Sequence, residues 1–360
     1  VWAQASGTVL TIQSRTMGAA GNATTLTATP AAGTMRAVAS GATFAGGVDG
    51  AWRTDLTATP RLNRAVRDWH GSYFAALKAY GIGVAAAFST EIEHGEPSLA
   101  AGIAQRYPDG QPVIVATPAL QTNFSPTSLA YWKQVYLDMA QIMSEAQVVP
   151  YLQFGEVQWW YFPGQTADPA TWTHGGMAFY DDYTKSAFQA QYGRPMHVFA
   201  SNSESPAPWP EESAFLPNLI GDFTAQITSF VRATYPQAKF EVLYPPDVND
   251  FALTRVVNLP GQWSPANLEV FKTENFTYTG AHNLNKARES IQMPLGRGFP
   301  RNRTAHLVGV MDSSEPWDWE RRLARAELCE SVALFAFDQF SMIGYEAPLE
   351  PGNRRSAFMG

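Results

Sequence analysis

Two glutamates end apolar runs in this 360-residue chain in the same way. Tyr-Leu-Gln-Phe-Gly-Glu156 runs into Val-Gln-Trp-Trp-Tyr-Phe, and Phe-Lys-Thr-Glu274 runs into Asn-Phe-Thr-Tyr. A carboxyl group at the tip of a buried strand, beside aromatic walls, loses hydration. Its pKa then rises toward the range a general acid needs. Lys272 stands two residues before Glu274, on the same strand face, and would favour an ionised carboxylate there. A protonated and an ionised carboxyl group on opposite sides of one bond are what glycoside hydrolysis requires. One gives a proton to the leaving oxygen, and the other attacks the anomeric carbon or activates water.

Such groups need elements that aim them at one place. From about residue 41 the chain repeats a short β-rich run, a polar loop and an amphipathic helix. Strands are predicted at 42–48, 81–88, 112–117, 148–154, 196–200, 239–243, 268–272 and 304–311. Helices are predicted at 60–81, 99–106, 128–146, 177–192, 212–234, 284–291 and 319–337. Thr59 would cap the first helix and Pro60 would open it. Eight strands alternating with helices imply parallel pairing and right-handed crossovers. The count favours a closed α/β architecture, a (β/α)8 TIM barrel over 41–360, above an open doubly wound sheet. Gly-Gly-Val-Asp-Gly after the first predicted strand is not a dinucleotide-binding turn, and no phosphate-loop pattern occurs. Residues 1–40 read differently, as a Thr- and Ala-rich segment with two alternating runs around Gly-Ala-Ala-Gly-Asn, a short N-terminal β-hairpin.

In a barrel of this kind the site lies past the C-terminal ends of the strands. Those positions hold Asp49, then Glu91, Glu93 and His94, then Glu156, Gln158, Trp159, Trp160 and Tyr161. They continue with Asn202 and Glu204, then Tyr244, Asp247 and Asn249, then Glu274 and Tyr278, and finally Asp312 and Trp317. Glu156 and Glu274 are the candidate catalytic pair. Trp159, Trp160, Tyr161, Asn202, Tyr244, Asp247, Tyr278, Asp312, Trp317, Asp49 and Glu91 are the candidate substrate-binding residues. An acidic, amide-rich and aromatic rim suits a neutral polyhydroxylated ligand. Trp159 and Trp160 are consecutive, so an extended chain would turn only one of them to the pocket. Asp247 and Asp312 would bind hydroxyls or cap helices. Glu91, Glu93 and His94 lack the spacing of a metal site, so no metal and no cofactor are implied.

A barrel with glutamates at the ends of its fourth and seventh strands resembles the clan of retaining (β/α)8 glycoside hydrolases. The resemblance implies cleavage of an O-glycosidic bond, with Glu156 as acid/base and Glu274 as nucleophile. It covers about residues 41–345 as architecture and two positions. The clan usually carries Asn just before its acid/base, where it holds the sugar 2-hydroxyl. Here Gly155 stands there, with Asn202 or Gln153 as the substitutes. A carbohydrate-binding barrel without catalysis is the alternative, and a metal-dependent hydrolase using Glu91, Glu93 and His94 is a third reading.

Composition narrows the partners. Hydrophobic residues make up 45% and charged residues 16% of the chain, which supports a large core and excludes a disordered chain. Net charge is −7 with scattered Lys and Arg, which argues against nucleic acid and anionic membranes. No apolar run approaches the ~18 residues a membrane span needs. The expected partner is a saccharide or glycoside; the oligomeric state is not readable. A start at Val1 favours a processed, secreted or periplasmic product. The single cysteine, Cys329, excludes an internal disulfide and reads as a buried small residue in an apolar helix.

Overall fold

The computed structural model describes residues 2–6, 8–13, 19–29, 38–46, 53–115, 119–163, 175–309 and 315–336. Two compact units make up the chain, Val1–Arg53 and Thr54–Gly360. In the first, β1 (Trp2–Ser6) pairs antiparallel with β2 (Val9–Gln13). The N-terminal hairpin is therefore made one strand earlier than the alternation predicted. The segment around Thr25 instead forms an isolated antiparallel bridge with Thr43. Phe44 N–H donates to the Thr24 carbonyl and Leu26 N–H to that of Ala42. The first predicted strand, 42–48, thus spends its described backbone groups locally; residues 47 and 48 lie outside the described residues.

The second unit begins with α1 (Arg64–Ala79), capped by Asn63 rather than Thr59. It continues through β3 (Ala86–Phe88), β4 (Glu91–Glu93), β5 (Ala119–Gln121), α2 (Pro126–Glu145) and β6 (Tyr151–Phe154). Then come β7 (Tyr161–Pro163), β8 (Gly175–Met177), α3 (Asp182–Tyr192), α4 (Pro210–Thr234) and β9 (Lys239–Tyr244). The last elements are α5 (Thr254–Val257), β10 (Val270–Glu274), α6 (Phe276–Gly280), α7 (Leu284–Gly296), β11 (Thr304–Val308), α8 (Glu315–Ala326) and β12 (Ser331–Leu334). Six parallel strands, in the order β3-β6-β9-β10-β11-β12, form one sheet curled into a half-barrel.

Five predicted strands are in that sheet, and three are not among its described residues. At 112–117 the chain makes only isolated bridges at Pro112 and Ile114, beside the antiparallel pair β4–β5. Residues 116 and 117 lie outside the described residues. No helix forms at 99–106, where turns and bridges take its place. At 196–200 side chains claim the amides a strand would have offered a neighbour. His197 N–H goes to Glu212, Phe199 N–H to the Tyr180 hydroxyl, and Ala200 N–H to Glu204. The sixth strand of the sheet, β12, comes from the end of the last predicted helix. Leu328 takes a left-handed φ of 62°, which stops α8, and Glu330 N–H then joins the Thr304 carbonyl. An apolar run such as Ser-Val-Ala-Leu fits a buried strand as well as a helix, and pairing with β11 decides. Cys329 is consequently half-buried in the turn before β12, not in a helix.

The sheet has two unlike faces. Leu152, Phe154, Phe240, Val242 and Phe271 face the helices and are buried. Tyr136 of α2 packs 5.1 Å from the Phe154 ring, which lies 5.5 Å from that of Phe240. α2 presents Trp132, Val135, Tyr136, Met139 and Met143 at helical spacing to this layer. The other face is polar, because the period of two puts Tyr151, Gln153, Glu241, Lys272 and Glu274 together. Lys272 Nζ donates to Gln153 Oε1 at 2.7 Å and to Glu241, whose other oxygen accepts from the Tyr151 hydroxyl at 2.5 Å. Three neighbouring strands are thereby tied by one ammonium group.

The Lys272 and Glu241 side chains are only 12% and 4% exposed. Removing one partner leaves a buried charge without its counterion, so Lys272→Met should destabilise the unit by about 3–5 kcal/mol. Urea denaturation checks this. The double variant Lys272→Met/Glu241→Gln should recover most of the loss, and a single-variant loss below about 1 kcal/mol would assign the pair no more than a surface ion pair's role.

Candidate active site

Glu156 follows β6 and Glu274 ends β10, and only β9 separates those strands. The sequence placed two strands between them. One intervening strand puts the strand axes about 10 Å apart, a span that two glutamate side chains can share.

Glu274 ends β10 on the polar face and is 8% exposed. Its neighbours hold it there. Thr273 and Asn275 point to the opposite face, where Thr273 Oγ1 lies 2.9 Å from His306 Nδ1 and Asn275 Nδ2 lies 3.2 Å from His306 Nε2. His306 Nε2 also meets Glu320 of α8 at 2.9 Å. This fully buried histidine was not singled out by the sequence. Its position inside a β-rich run was the only signal, and it reads as a core residue there.

Glu156 is positioned through its own backbone groups. Gly155 N–H donates to the Phe88 carbonyl at 2.8 Å, and Glu156 N–H to Ser89 Oγ at 3.3 Å. The Glu156 carbonyl accepts from Thr90 Oγ1 at 3.2 Å. The chain leaving β6 is strapped to the chain leaving β3. A Cβ on Gly155 would sit 2.9 Å from Ser89 Oγ and 3.0 Å from the Phe88 carbonyl oxygen. The approach leaves no room for the asparagine expected before an acid/base of the clan. Gln153 does not replace it, because its amide oxygen is taken by Lys272.

Two more carboxylates join the pair. Glu91 lies on β4 opposite Gln121, and its pKa is raised by burial, partly offset by a hydrogen bond from Gln121. Asp247 follows β9; Oδ2 accepts from Thr277 N–H of α6 at 2.8 Å and Oδ1 from Val248 N–H at 2.9 Å. It therefore caps a short helix while facing the pair. Burial first, then Glu91 and Asp247, push Glu156 up to about 7. Burial first, then Glu156, Asp247 and Glu320, push Glu274 up to about 8. Lys272 is the weakest influence on Glu274, since its ammonium is committed to Glu241. The expectation that Lys272 keeps Glu274 ionised is thus overturned. Two coupled carboxyl groups with such values hold one proton between them near neutral pH.

The remaining candidates scatter. Trp160 is half-buried, with its indole N–H 2.8 Å from Gln121 Oε1 and its ring stacked 5.7 Å from Phe162. Trp159 is 1% exposed and bonded through its indole to the Leu216 carbonyl, so it is core. Both nevertheless border one cavity. Tyr161 and Asn202 line a cavity with Trp160. Tyr244 sits on the helix-facing side of the sheet between Trp263 and Phe271, not on the rim. Tyr278 hydrogen-bonds Asp250, with Lys286 over its ring, and shares a separate cavity with Tyr244. Trp317 is buried on α8 against Phe276, 6.1 Å away. Asp49 and Asp312 lie outside the described residues. Among the described residues no three His, Cys, Asp or Glu side chains could hold a metal ion, so Glu91, Glu93 and His94 form no such set. No helix among them is long and apolar enough to cross a membrane.

A family model described as the non-contractile tail sheath protein TIM barrel matches residues 48–343. The catalytic domain of β-amylase from Paenibacillus polymyxa superposes with a TM-score of 0.53 at 9% identity, over 78% of this chain and 86% of that one. The PgaB (BpsB) glycoside hydrolase domain from Bordetella bronchiseptica gives 0.51 at 13% identity, over 74% and 73%. The shared feature is the fold, a TIM barrel. A search of curated protein sequences gives no match.

The raised carboxylates make stability pH-dependent. A group whose folded pKa lies above its ordinary 4.5 stabilises fully below that value, and the contribution is lost as pH rises through 7 and 8. The thermal midpoint should therefore fall between pH 5 and pH 9 in the native chain, and fall less in Glu156→Gln/Glu274→Gln. Equal slopes in the two proteins would mean that neither group is perturbed.

Proposed function

The chain belongs to the family of non-contractile tail sheath protein TIM barrels, and from that premise we propose a tail-sheath barrel that hydrolyses an O-glycosidic bond with Glu156 and Glu274. The observation that carries this reading is the placing of two buried carboxyl groups at the ends of strands that only β9 separates, where burial and their neighbours raise both. Glu156 donates the proton to the leaving glycosidic oxygen while Glu274 attacks the anomeric carbon. The C–O bond breaks, and a glycosyl ester forms on Glu274. Water then attacks that ester, Glu156 takes its proton, and Glu274 leaves as carboxylate. The productive microstate has the proton on Glu156 and the charge on Glu274. With Glu274 raised to about 8 and Glu156 to about 7, a single proton rests mainly on Glu274, and the productive microstate is the minor tautomer of the pair. Asp247 and Glu91 keep the second proton from leaving too readily by their own charge.

A second reading is a barrel that holds saccharide without cleaving it. The steric closure at Gly155 favours it, because the amide that would grip the sugar 2-hydroxyl has no place to stand.

Turnover of 4-nitrophenyl glycosides separates the two. Glu274→Ala should lose about 10³-fold or more in kcat, with azide restoring part of it as a glycosyl azide. Glu156→Gln should spare substrates with good leaving groups, which need little acid assistance. Undiminished turnover in Glu274→Ala would sink the assignment, and saccharide binding with no turnover in the native chain would establish the second reading. The pH profile of kcat/KM should be bell-shaped, with its optimum between about 7 and about 8, where the pair holds one proton. A plateau extending to pH 10 would mean that no proton donor of this pair is used.

A further inference from the structure

The chain that follows Glu156 lines a cavity of about 430 Å³ that the acid/base chemistry does not use. Its walls include Trp160, Phe162, Asn202 and Phe251, together with Gln158 and Thr254. The volume falls in the ~300–1,000 Å³ range of small-molecule sites. No charged side chain is among its described lining residues. The Trp160 and Phe162 rings are stacked, 5.7 Å between centroids and 9° from parallel.

Two polar groups of this lining are incomplete. Gln158 and Thr254 are each 3% exposed, and among the described residues neither Gln158 Nε2 nor Thr254 Oγ1 has a hydrogen-bond partner. The orientation of the Gln158 amide is fixed from outside. Asn249 Nδ2 donates to Gln158 Oε1 at 2.9 Å and to the Pro245 carbonyl at 3.0 Å. Asn249 Oδ1 in turn accepts from Asn258 Nδ2 at 2.8 Å, which also holds the Trp159 carbonyl. The chain of amides leaves the Gln158 N–H2 as its free end. A buried donor and a buried hydroxyl without partners destabilise a fold, so a site that keeps both fits a ligand that completes them.

We propose that this cavity is a binding subsite for a neutral polyhydroxylated ring. The ring stacks on the half-buried Trp160, one hydroxyl accepts from Gln158 Nε2, and another pairs with Thr254 Oγ1. The indole supplies the apolar contact that sugar C–H faces need, and the missing charge selects against acidic and basic sugars. The proposal concerns binding and stands whether or not the Glu156–Glu274 pair breaks a bond.

The test uses the full chain carrying Glu274→Gln, titrated with cellohexaose, maltohexaose and chitohexaose while tryptophan fluorescence is read. At least one hexasaccharide should bind, and Thr254→Val and Trp160→Ala should each weaken it by about tenfold or more. Thr254→Val removes only the incomplete hydroxyl, so its melting temperature should stay level or rise. The proposal falls if none of the three sugars binds at millimolar concentration, or if Thr254→Val binds as tightly as its parent. It falls also if Thr254→Val melts lower, since the hydroxyl would then have a structural partner. Binding intact in a chain that turns over no glycoside leaves this proposal standing and removes only the hydrolytic reading.

Discussion

The commitment of Lys272 to Glu241 and Gln153 governs the polar face of the sheet. Its ammonium, carried on β10, is reached by side chains from β6 and β9, so it ties three strands together on their polar face. The same commitment leaves Glu274 without an effective counterion two residues further along. A cation that served Glu274 would hold that carboxyl group ionised and unable to share a proton. By being occupied lower in the sheet, Lys272 lets burial and the neighbouring carboxylates raise Glu274 and Glu156 together.

The opposite face supplies the rigidity this arrangement needs. Phe154, Phe240 and Phe271 sit among helix side chains, and His306 bridges Thr273, Asn275 and Glu320 there. Because strand residues alternate, fixing the residues on either side of Glu274 to the helix layer turns Glu274 itself the other way. Glu156 is placed by a different device. The backbone contact of Gly155 with Phe88 brings two strand ends closer than any side chain would allow. The site is thus assembled from one carboxylate aimed by side-chain packing and one aimed by backbone approach.

A barrel fold is shared by proteins with many activities, and the chemistry is decided at the strand ends. Here the strand ends provide two kinds of surface. One is a cluster of carboxylates with depressed acidity, suited to moving a proton. The other is an uncharged aromatic cavity with unmet hydrogen-bonding capacity, suited to holding a ring. Gln158 lies two residues from Glu156, so the loop after β6 contributes to both.

The sequence by itself determined the α/β rhythm and the ends of the strands that matter. The runs ending at Glu156 and Glu274 became β6 and β10, and the predicted helices at 128–146, 212–234 and 284–291 became α2, α4 and α7. Strong periodicity made those elements legible, since it acts within a few residues of chain. The outward turn of Tyr244 was also within reach, because it falls one residue out of phase with Glu241 and Leu243. What only the tertiary structure decided was which extended segments would find a strand partner. Residues 196–200 have a strand's composition, but Glu212, Tyr180 and Glu204 take their amides; Ser331–Leu334 reads as helix, but β11 offers it a parallel edge. The protonation of the carboxylate pair was decided there too. It depends on which charges face one another across the sheet and on which of them Lys272 neutralises, and those distances exist only once the chain has folded.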